Sequence, residues 1–335
     1  MCGIAGIWAR HKPKKEELNI YLNKMSGLIK HRGPDHSGLW LDVSSGLGIA
    51  HQRLSILDLS EAGNQPMTSE KERYVISFNG EIYNHNDLRY LIKKHRSYYP
   101  WKGSSDTETL LAAIETFGLE EALDKSKGMF AFALWDKKER TLSLVRDRFG
   151  EKPLYYGEIK CNENDGLGST SFLFSSEISS FKSFSPLKPE INIQALDGFF
   201  DFGYVPNNIS IYNGIQQIPP GHILKIKASS NGCSPFEIPA PVEWWGLINE
   251  RKKLNKKEIS HINLLDNLES KLRKSISQQS YADVDLAVFM SGGIDSSLVA
   301  TLLSQTSQKK VNSFTISFPD DKNNFNEGPI ASEIA

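Results

Sequence analysis

The stretch GMFAFALWDKKERTLSLVRD, residues 128–147, reads as a β-hairpin. Phe130, Phe132 and Leu134 alternate against Ala131, Ala133 and Trp135 at the period of an extended strand, and the polar KKER separates this run from TLSLVRD. Working outward, GLGIAHQRLSI (46–56) has an extended pattern, and YVISFNGEIYN (74–84) is two short β-rich runs around Asn79-Gly80. A plain turn is one reading of that dipeptide, since N-G is the strongest short hairpin signal. Amphipathic helices are predicted over 17–30 and 106–117. In the second, Leu110, Leu111, Ile114 and Phe117 recur at helical spacing, with Asp106 or Thr107 able to cap its start. Strands in hairpins flanked by helices predict α+β layers, with sheets packed under helices.

At 335 residues, with roughly 150 residues per domain, two domains are expected. The apolar share is that of an ordinary globular protein. Its 39 basic and 40 acidic side chains lack the basic excess of a nucleic-acid binder, so no nucleic-acid partner is expected. No run approaches the ~18 apolar residues of a membrane span. The run Ile4–Trp8 is too short for a secretory signal, and its charges follow it rather than precede it. The mature protein is therefore expected to begin at or next to Cys2, and to be cytoplasmic. Cys2, Cys161 and Cys233 are scattered and odd in number, and read as reduced thiols.

Beyond residue 185 the pattern changes. Eight of the 15 prolines fall between Pro186 and Pro241, around a short helix near 194–202, a strand HILKI (222–226) and a polar loop KASSNGCSP (227–235). Residues 186–257 read as a connecting region. From 258 the pattern is α/β: a helical stripe from Ile262 to Ile276, a strand in DLAVFM (285–290), a Gly turn, a helix in SSLVATLLSQ (296–305) and a strand in VNSFTISF (311–318). That order is one βαβ unit of a doubly wound parallel sheet. NEGPIASEIA enters a helix with Pro329 in its first turn.

Cys2 alone is ambiguous. It reads either as an incidental second-position cysteine or, once Met1 is removed, as a nucleophile activated by its own α-amine. The company it keeps is more specific. MCGIAGIW (1–8), HRGPDHSG (31–38), HQRLSILDLS (51–60), FNGEIYNH (78–85), GSSDTE (103–108) and RDRFGEKPLYY (146–156) occur in order, followed by SGGIDSS (291–297). This series resembles the glutamine-hydrolysing asparagine synthetase family. Residues 1–185 resemble a class II glutamine amidotransferase domain. The implied fold is an α+β N-terminal-nucleophile sandwich, two antiparallel sheets between helix layers. Residues 258–335 resemble the start of an α/β doubly wound ATP pyrophosphatase domain that is C-terminally incomplete. No SGEGxDE-type motif or later catalytic lysine is found, so the chain is expected to be either the product of a truncated gene or a fragment of a longer protein.

The resemblance implies roles. Cys2 attacks the glutamine amide, with Asn79 and Gly80 as oxyanion hole. Arg53 pairs with the α-carboxylate, Glu81 and Asp106 hold the α-ammonium, and the backbone of Leu54, Ser55, Ile56 and Leu57 lines the pocket. On their own, Arg53 reads equally as a surface charge and Asp106 as a helix cap. His31, Arg32 and Asp35 are expected to fix a loop, and Arg146, Asp147 and Arg148 to form a network beneath the site. Ser291, Gly292, Gly293, Ile294, Asp295, Ser296 and Ser297 resemble a pyrophosphate loop, where small residues and a helix N-terminus admit phosphate. It is not a Walker-A loop, for no Lys follows the glycines. Asp295 is implied to help hold Mg²⁺, and Met290 and Ile316 to lie beside adenine.

The function implied is an amide ligase making asparagine from aspartate, glutamine and ATP, with ammonia passed between domains. Its cofactors and partners are ATP, Mg²⁺, glutamine and aspartate, and a homodimer is compatible with it. Two alternatives stand beside it: an amidotransferase acting on another carboxylate, such as a sugar acid, and a glutaminase or regulatory binding protein without synthetase activity. This chain by itself is expected to act as a glutaminase only.

Overall fold

The structure, a computed structural model, describes residues 1–10, 13–160, 167, 170–183, 190–206, 208–228, 237–253, 264–307, 310–318 and 326–335. Cys161, Cys233, Ile262, the loop 229–235 and the expected boundary at 257–258 lie outside the described residues. The chain divides into two units, Met1–Lys253 and Leu254–Ala335.

The first unit contains β1 (Gly3–Ala9), α1 (Lys15–Leu28), β2 (His36–Asp42), β3 (Leu47–Arg53), β4 (Met67–Thr68), β5 (Tyr74–Ile82), α2 (His85–His95), α3 (Asp106–Phe117), α4 (Leu119–Lys125), β6 (Gly128–Asp136), β7 (Thr141–Arg146), β8 (Tyr155–Lys160), β9 (Thr170–Ser175), α5 (Ile193–Phe202), β10 (Ile215–Gln217), β11 (His222–Lys227), β12 (Val242–Glu243) and α6 (Leu247–Lys253). They form two antiparallel sheets, ordered β10-β8-β9-β1-β3-β2 and β12-β11-β7-β6-β5-β4. Strand alternation explains the layering. On β6, Phe130, Phe132 and Leu134 pack against Leu88 and Ile92 of α2, Leu110 and Ile114 of α3 and Leu123 of α4. Ala131, Ala133 and Trp135 face the other sheet, where Trp8 meets Trp135 edge to face at 5.3 Å. On β1, Ile4 and Trp8 enter that same inter-sheet core, while Ala5, Ile7 and Ala9 lie under Leu18, Leu22 and Met25 of α1. The result is helix, sheet, sheet, helix, the sandwich that the hairpin reading predicts.

Three details differ from expectation. Residues 74–84 are not two runs about a turn: β5 passes straight through Asn79-Gly80, paired with β6 from Tyr74↔Asp136 to Ile82↔Gly128. Gly80 is needed for close approach, because a Cβ there would lie 2.2 Å from the Met129 carbonyl oxygen. The cap of α3 is Ser105, whose Oγ accepts the Glu108 N–H at 3.2 Å, rather than Asp106 or Thr107. The region expected to connect the domains, 186–257, instead completes the sandwich in its described part. There β10 extends one sheet, β11 pairs with β7, and Leu224 and Ile226 enter the inter-sheet core.

The second unit holds α7 (Leu264–Gln279), β13 (Ala287–Phe289), α8 (Ile294–Thr306), β14 (Asn312–Phe314) and α9 (Gly328–Ile334). β13 and β14 pair in parallel around α8, as the βαβ pattern predicts. Among the described residues no helix is long and apolar enough to cross a membrane.

Candidate active site

Four chain segments deliver side chains to one pocket of the first unit: the start of β1, the end of β3 with the loop after it, the second half of β5, and the first turn of α3. Cys2, Arg53, Leu54, Ile56, Leu57, Asn79, Gly80, Glu81 and Asp106 all line it. Ser55 does not. Its N–H donates to Asp35 Oδ2 at 2.8 Å, which fixes the loop from outside.

The Leu54 N–H donates to Cys2 Sγ at 3.4 Å. Burial pushes the thiol above its ordinary pKa, against the opposing pull of the Leu54 N–H and the N-terminal amine. Arg32 Nε donates to the Cys2 carbonyl at 2.9 Å, and its Nη1 pairs with Glu177 at 2.7 Å. His31 Nε2 lies 3.1 Å from the same carboxylate. The HRGPD segment therefore fixes the backbone around Cys2.

The edge of β5 is the informative part. In an antiparallel ladder, alternate residues turn their N–H and C=O away from the partner strand. Phe130, opposite Gly80, exchanges both of its backbone groups with Asp147. The N–H groups of Phe78, Gly80 and Ile82 therefore point away from β6. The first donates to Gln65 Oε1 at 2.7 Å and the third to Asp106 Oδ2 at 2.8 Å. Between these two filled positions, Gly80 presents its N–H to the pocket. Beside it the Asn79 side chain is 1% exposed, yet its Nδ2 has no hydrogen-bond partner among the described residues. A buried amide donor without a partner is costly and marks a place where a ligand atom belongs.

Arg53 Nη1 donates to Ser60 O at 2.8 Å and Asn64 Oδ1 at 2.9 Å, and Nη2 donates to Asp58 O. It forms no ion pair among the described residues. Gly63 makes room for it, since a Cβ there would lie 2.0 Å from Nη2. Asp106 accepts the N–H groups of Ile82 and Thr107, each at 2.8 Å. Burial raises its pKa to about 6 in spite of those bonds and of Arg53. Burial, reinforced by Asp106, raises Glu81 to about 7.

Further lining residues escape sequence reasoning, among them Gln65, Thr107, Met129 and Lys152. Gln65 bridges Phe78 N–H and Thr107 Oγ1 from a loop with no pattern of its own. Lys152 sits inside the quoted RDRFGEKPLYY run, so its neighbours were the available signal. Asp147 of that run is fully buried and accepts the backbone N–H groups of Phe130, Phe149, Glu151 and Lys152. Arg146 donates to the carbonyls of Lys152, Ile218 and Gly150. Arg148 reaches Ser126 O and Asp124 O. These side chains hold the loop as a network beneath the site. Asp147→Ala is expected to cost about 3 kcal/mol or more, because each buried N–H left without an acceptor costs about 1–3 kcal/mol. Thermal unfolding should then fall by about 6–12 °C, and a fall under about 2 °C would contradict this role.

In the second unit, Ser291 to Ser297 turn from β13 into α8. Gly292 adopts φ +78°, and Gly293 precedes the helix with no side-chain cap. Ser291 Oγ contacts Ser296 Oγ at 3.0 Å and accepts the Gly293 N–H at 3.3 Å. Ser297 Oγ donates to Gly293 O at 2.7 Å. Asp295 lies exposed in the first helical turn. Met290 is buried and donates its N–H to Phe314 O at 2.8 Å, whereas Ile316 is exposed.

Residues 1–237 match the family model described as glutamine amidotransferase domain, and residues 267–335 match asparagine synthase. Asparagine synthetase (glutamine-hydrolyzing) 1 of Bacillus subtilis (strain 168) is 33% identical over 339 residues, covering 100% of this chain and 48% of its own length. Amidase chry2 of Gibberella zeae is 32% identical over 326 residues, covering 96% of this chain and 44% of its own. A solved glutamine phosphoribosylpyrophosphate amidotransferase from B. subtilis, complexed with ADP and GMP, aligns with a TM-score of 0.48 at 16% identity, covering 95% of this chain and 67% of that one. The chain spans about half the length of the curated relatives it matches. The chain belongs to the glutamine amidotransferase domain family, and its second unit carries sequence of the asparagine synthase family.

Proposed function

We propose that the first unit hydrolyses glutamine and that the ammonia serves ATP-dependent amidation of a carboxylate, aspartate in the leading case. The observation that carries the first half is the pair of unfilled donors, Asn79 Nδ2 and Gly80 N–H, beside a thiol. With Met1 removed, the Cys2 α-amine takes the thiol proton and Sγ attacks the side-chain amide carbon. Charge develops on the carbonyl oxygen, where Asn79 and Gly80 stabilise it. The amine then gives the proton to the departing nitrogen, and ammonia leaves. Water cleaves the resulting thioester to glutamate and regenerates the thiol. Arg53 supplies the charge opposite the α-carboxylate, through the N–H groups that its bonds to Ser60, Asn64 and Asp58 leave over, and Glu81 and Asp106 take the α-ammonium.

A consequence for pH follows from the last pair. An ammonium binds ionised carboxylates, so affinity is full where both are charged and falls as they protonate. With Glu81 near 7 and Asp106 near 6, the glutamine KM is expected to be lowest above pH 8. By pH 6 it should have risen about twentyfold, and further below that. A KM flat from pH 8 to 6 would remove these residues from the ammonium subsite.

In the second unit, the turn before α8 suits phosphate, with small side chains, a left-handed glycine and the helix's first N–H groups. Asp295 would offer a carboxylate oxygen to Mg²⁺, whose charge would offset that of the phosphates. The family match of this unit supports adenylation of the acceptor, with AMP and pyrophosphate as products. The equally similar relative named an amidase favours a second reading, in which the acceptor is a carboxylate other than aspartate. Incubation with glutamine, aspartate and Mg-ATP, with glutamate, asparagine and pyrophosphate measured separately, tests the scheme. Glutamate formation supports the first half. Asparagine with equal pyrophosphate supports aspartate. No glutamate from a chain that has lost Met1 overturns the whole.

A further inference from the structure

Lys152 and Arg53 are the two cations lining the pocket. Arg53 spends its N–H groups on Ser60, Asn64 and Asp58, whereas Lys152 faces Met1. Lys152 is 7% exposed and, like Arg53, forms no ion pair among the described residues. Its backbone is clamped at both ends, the N–H by Asp147 Oδ2 at 3.0 Å and the carbonyl by Arg146 Nε at 2.9 Å. Its Nζ lies 3.6 Å from Met1 Sδ, and Arg32 Nη2 lies 4.0 Å from the same sulfur. The two cations thus bracket Met1, the residue whose removal frees the α-amine of Cys2. They are not equivalent. Arg32 is matched by Glu177, whereas the charge of Lys152 is unmatched at ion-pair distance. A buried cation unmatched at ion-pair distance is expensive to keep: burial lowers the pKa of Lys152 itself, with Arg32 acting the same way, while Glu151, Asp147 and Glu81 hold its charge in place.

We propose that Lys152 is a positioning residue of this site, a fixed charge that keeps the freed α-amine of Cys2 neutral and so able to accept the thiol proton. The proposal rests on the glutaminase reading above. The groups facing this N-terminus are the Cys2 thiol, Arg32 and Asp35 after α1, and Lys152 after β7; Arg53 at the end of β3 and Asp106 on α3 act on the thiol from the same pocket, and Glu81 on β5 acts on Lys152. In the unprocessed chain, burial already holds the terminal amine below its ordinary value. Arg32 and Lys152 push the same way, against the thiol and Asp35. Loss of Lys152 leaves Asp35 and the thiol pulling upward against Arg32 alone, so the amine becomes more basic.

The test uses the full chain, with Met1 removal verified by mass spectrometry. Competitive acetylation with acetic anhydride over a pH series gives the titration midpoint of the α-amine directly, without reference to activity. In Lys152→Met the midpoint is expected to rise by about one unit, and in Lys152→Arg to return. Glutamine kcat at pH 7 should fall about tenfold in the Met variant and recover as the pH is raised, while KM at pH 7 also rises because Lys152 no longer holds the Glu81 carboxyl down. Lys152→Gln, which also removes the charge, serves should the Met variant not fold. A midpoint moved by less than about 0.3 units, or a loss that arginine does not rescue, overturns the proposal. If the midpoint moves as expected but the unaltered protein makes no glutamate, the inference on Lys152 holds and the glutaminase reading fails.

Discussion

Cys2→Ala is expected to lower glutamate release by more than about 10³-fold while leaving the fold in place. Among the described side chains of the pocket the thiol is the most nucleophilic group available at neutral pH, and alanine removes it without adding bulk. The structural cost is small. Cys2 Sγ makes only a weak contact with the Leu54 backbone, and the Cys2 carbonyl bond to Arg32 is untouched by the change. Melting temperature should therefore stay within about 3 °C of the parent. Assay of glutamate together with thermal unfolding separates the two effects. A Cys2→Ala protein that is folded and retains a tenth of its activity would exclude the thiol as nucleophile.

The second large effect belongs to Asn79. Asn79→Ala is expected to reduce kcat for glutamine by about 10²–10³, with KM changed little, because the amide acts on charge that exists only in the transition state. Its stability signature should be unusual for so buried a residue. Most buried polar side chains lose bonds on truncation, but Asn79 Nδ2 has none to lose. Relief of an unpartnered donor offsets the packing lost, and the melting temperature is expected to move by about 2 °C or less. Equal losses in kcat and stability would instead identify Asn79 as a structural residue.

The sandwich was legible where one period governed a run. β6, β7 and α3 follow from alternation or helical spacing, because each buries a regular face. The fate of residues 186–253 was not legible. A three-residue strand such as β10 carries too few side chains to show a period, and its place at a sheet edge is decided by Tyr155 to Gly157 of β8. The site divides similarly. Cys2, Arg53, Asn79 and Asp106 stand in recognisable motifs, and the fold brings them together. Gln65 acts through the backbone of β5, and Lys152 enters the pocket from a loop that Asp147 and Arg146 clamp, relations that local sequence periodicity does not express. The dipeptide Asn79-Gly80 shows the limit most clearly. Its turn signal is real as a local preference, but nine paired residues of β5 outweigh it.

The first sheet has one more implication, for the order of events at the ribosome. β1 lies in the interior of that sheet, between β3 and β9, with Ala5 opposite both Ala50 and Ser175. The strand synthesised first is thus flanked on one side by a strand that emerges some 170 residues later. At roughly 5–20 residues per second, that partner appears about 9–35 s after the N-terminus. Throughout that interval one flank of β1 is open, and Met1 remains accessible to an aminopeptidase. On the proposed mechanism, trimming the chain to Cys2 would therefore have an interval in which to precede closure of the sheet, before the pocket around the N-terminus exists.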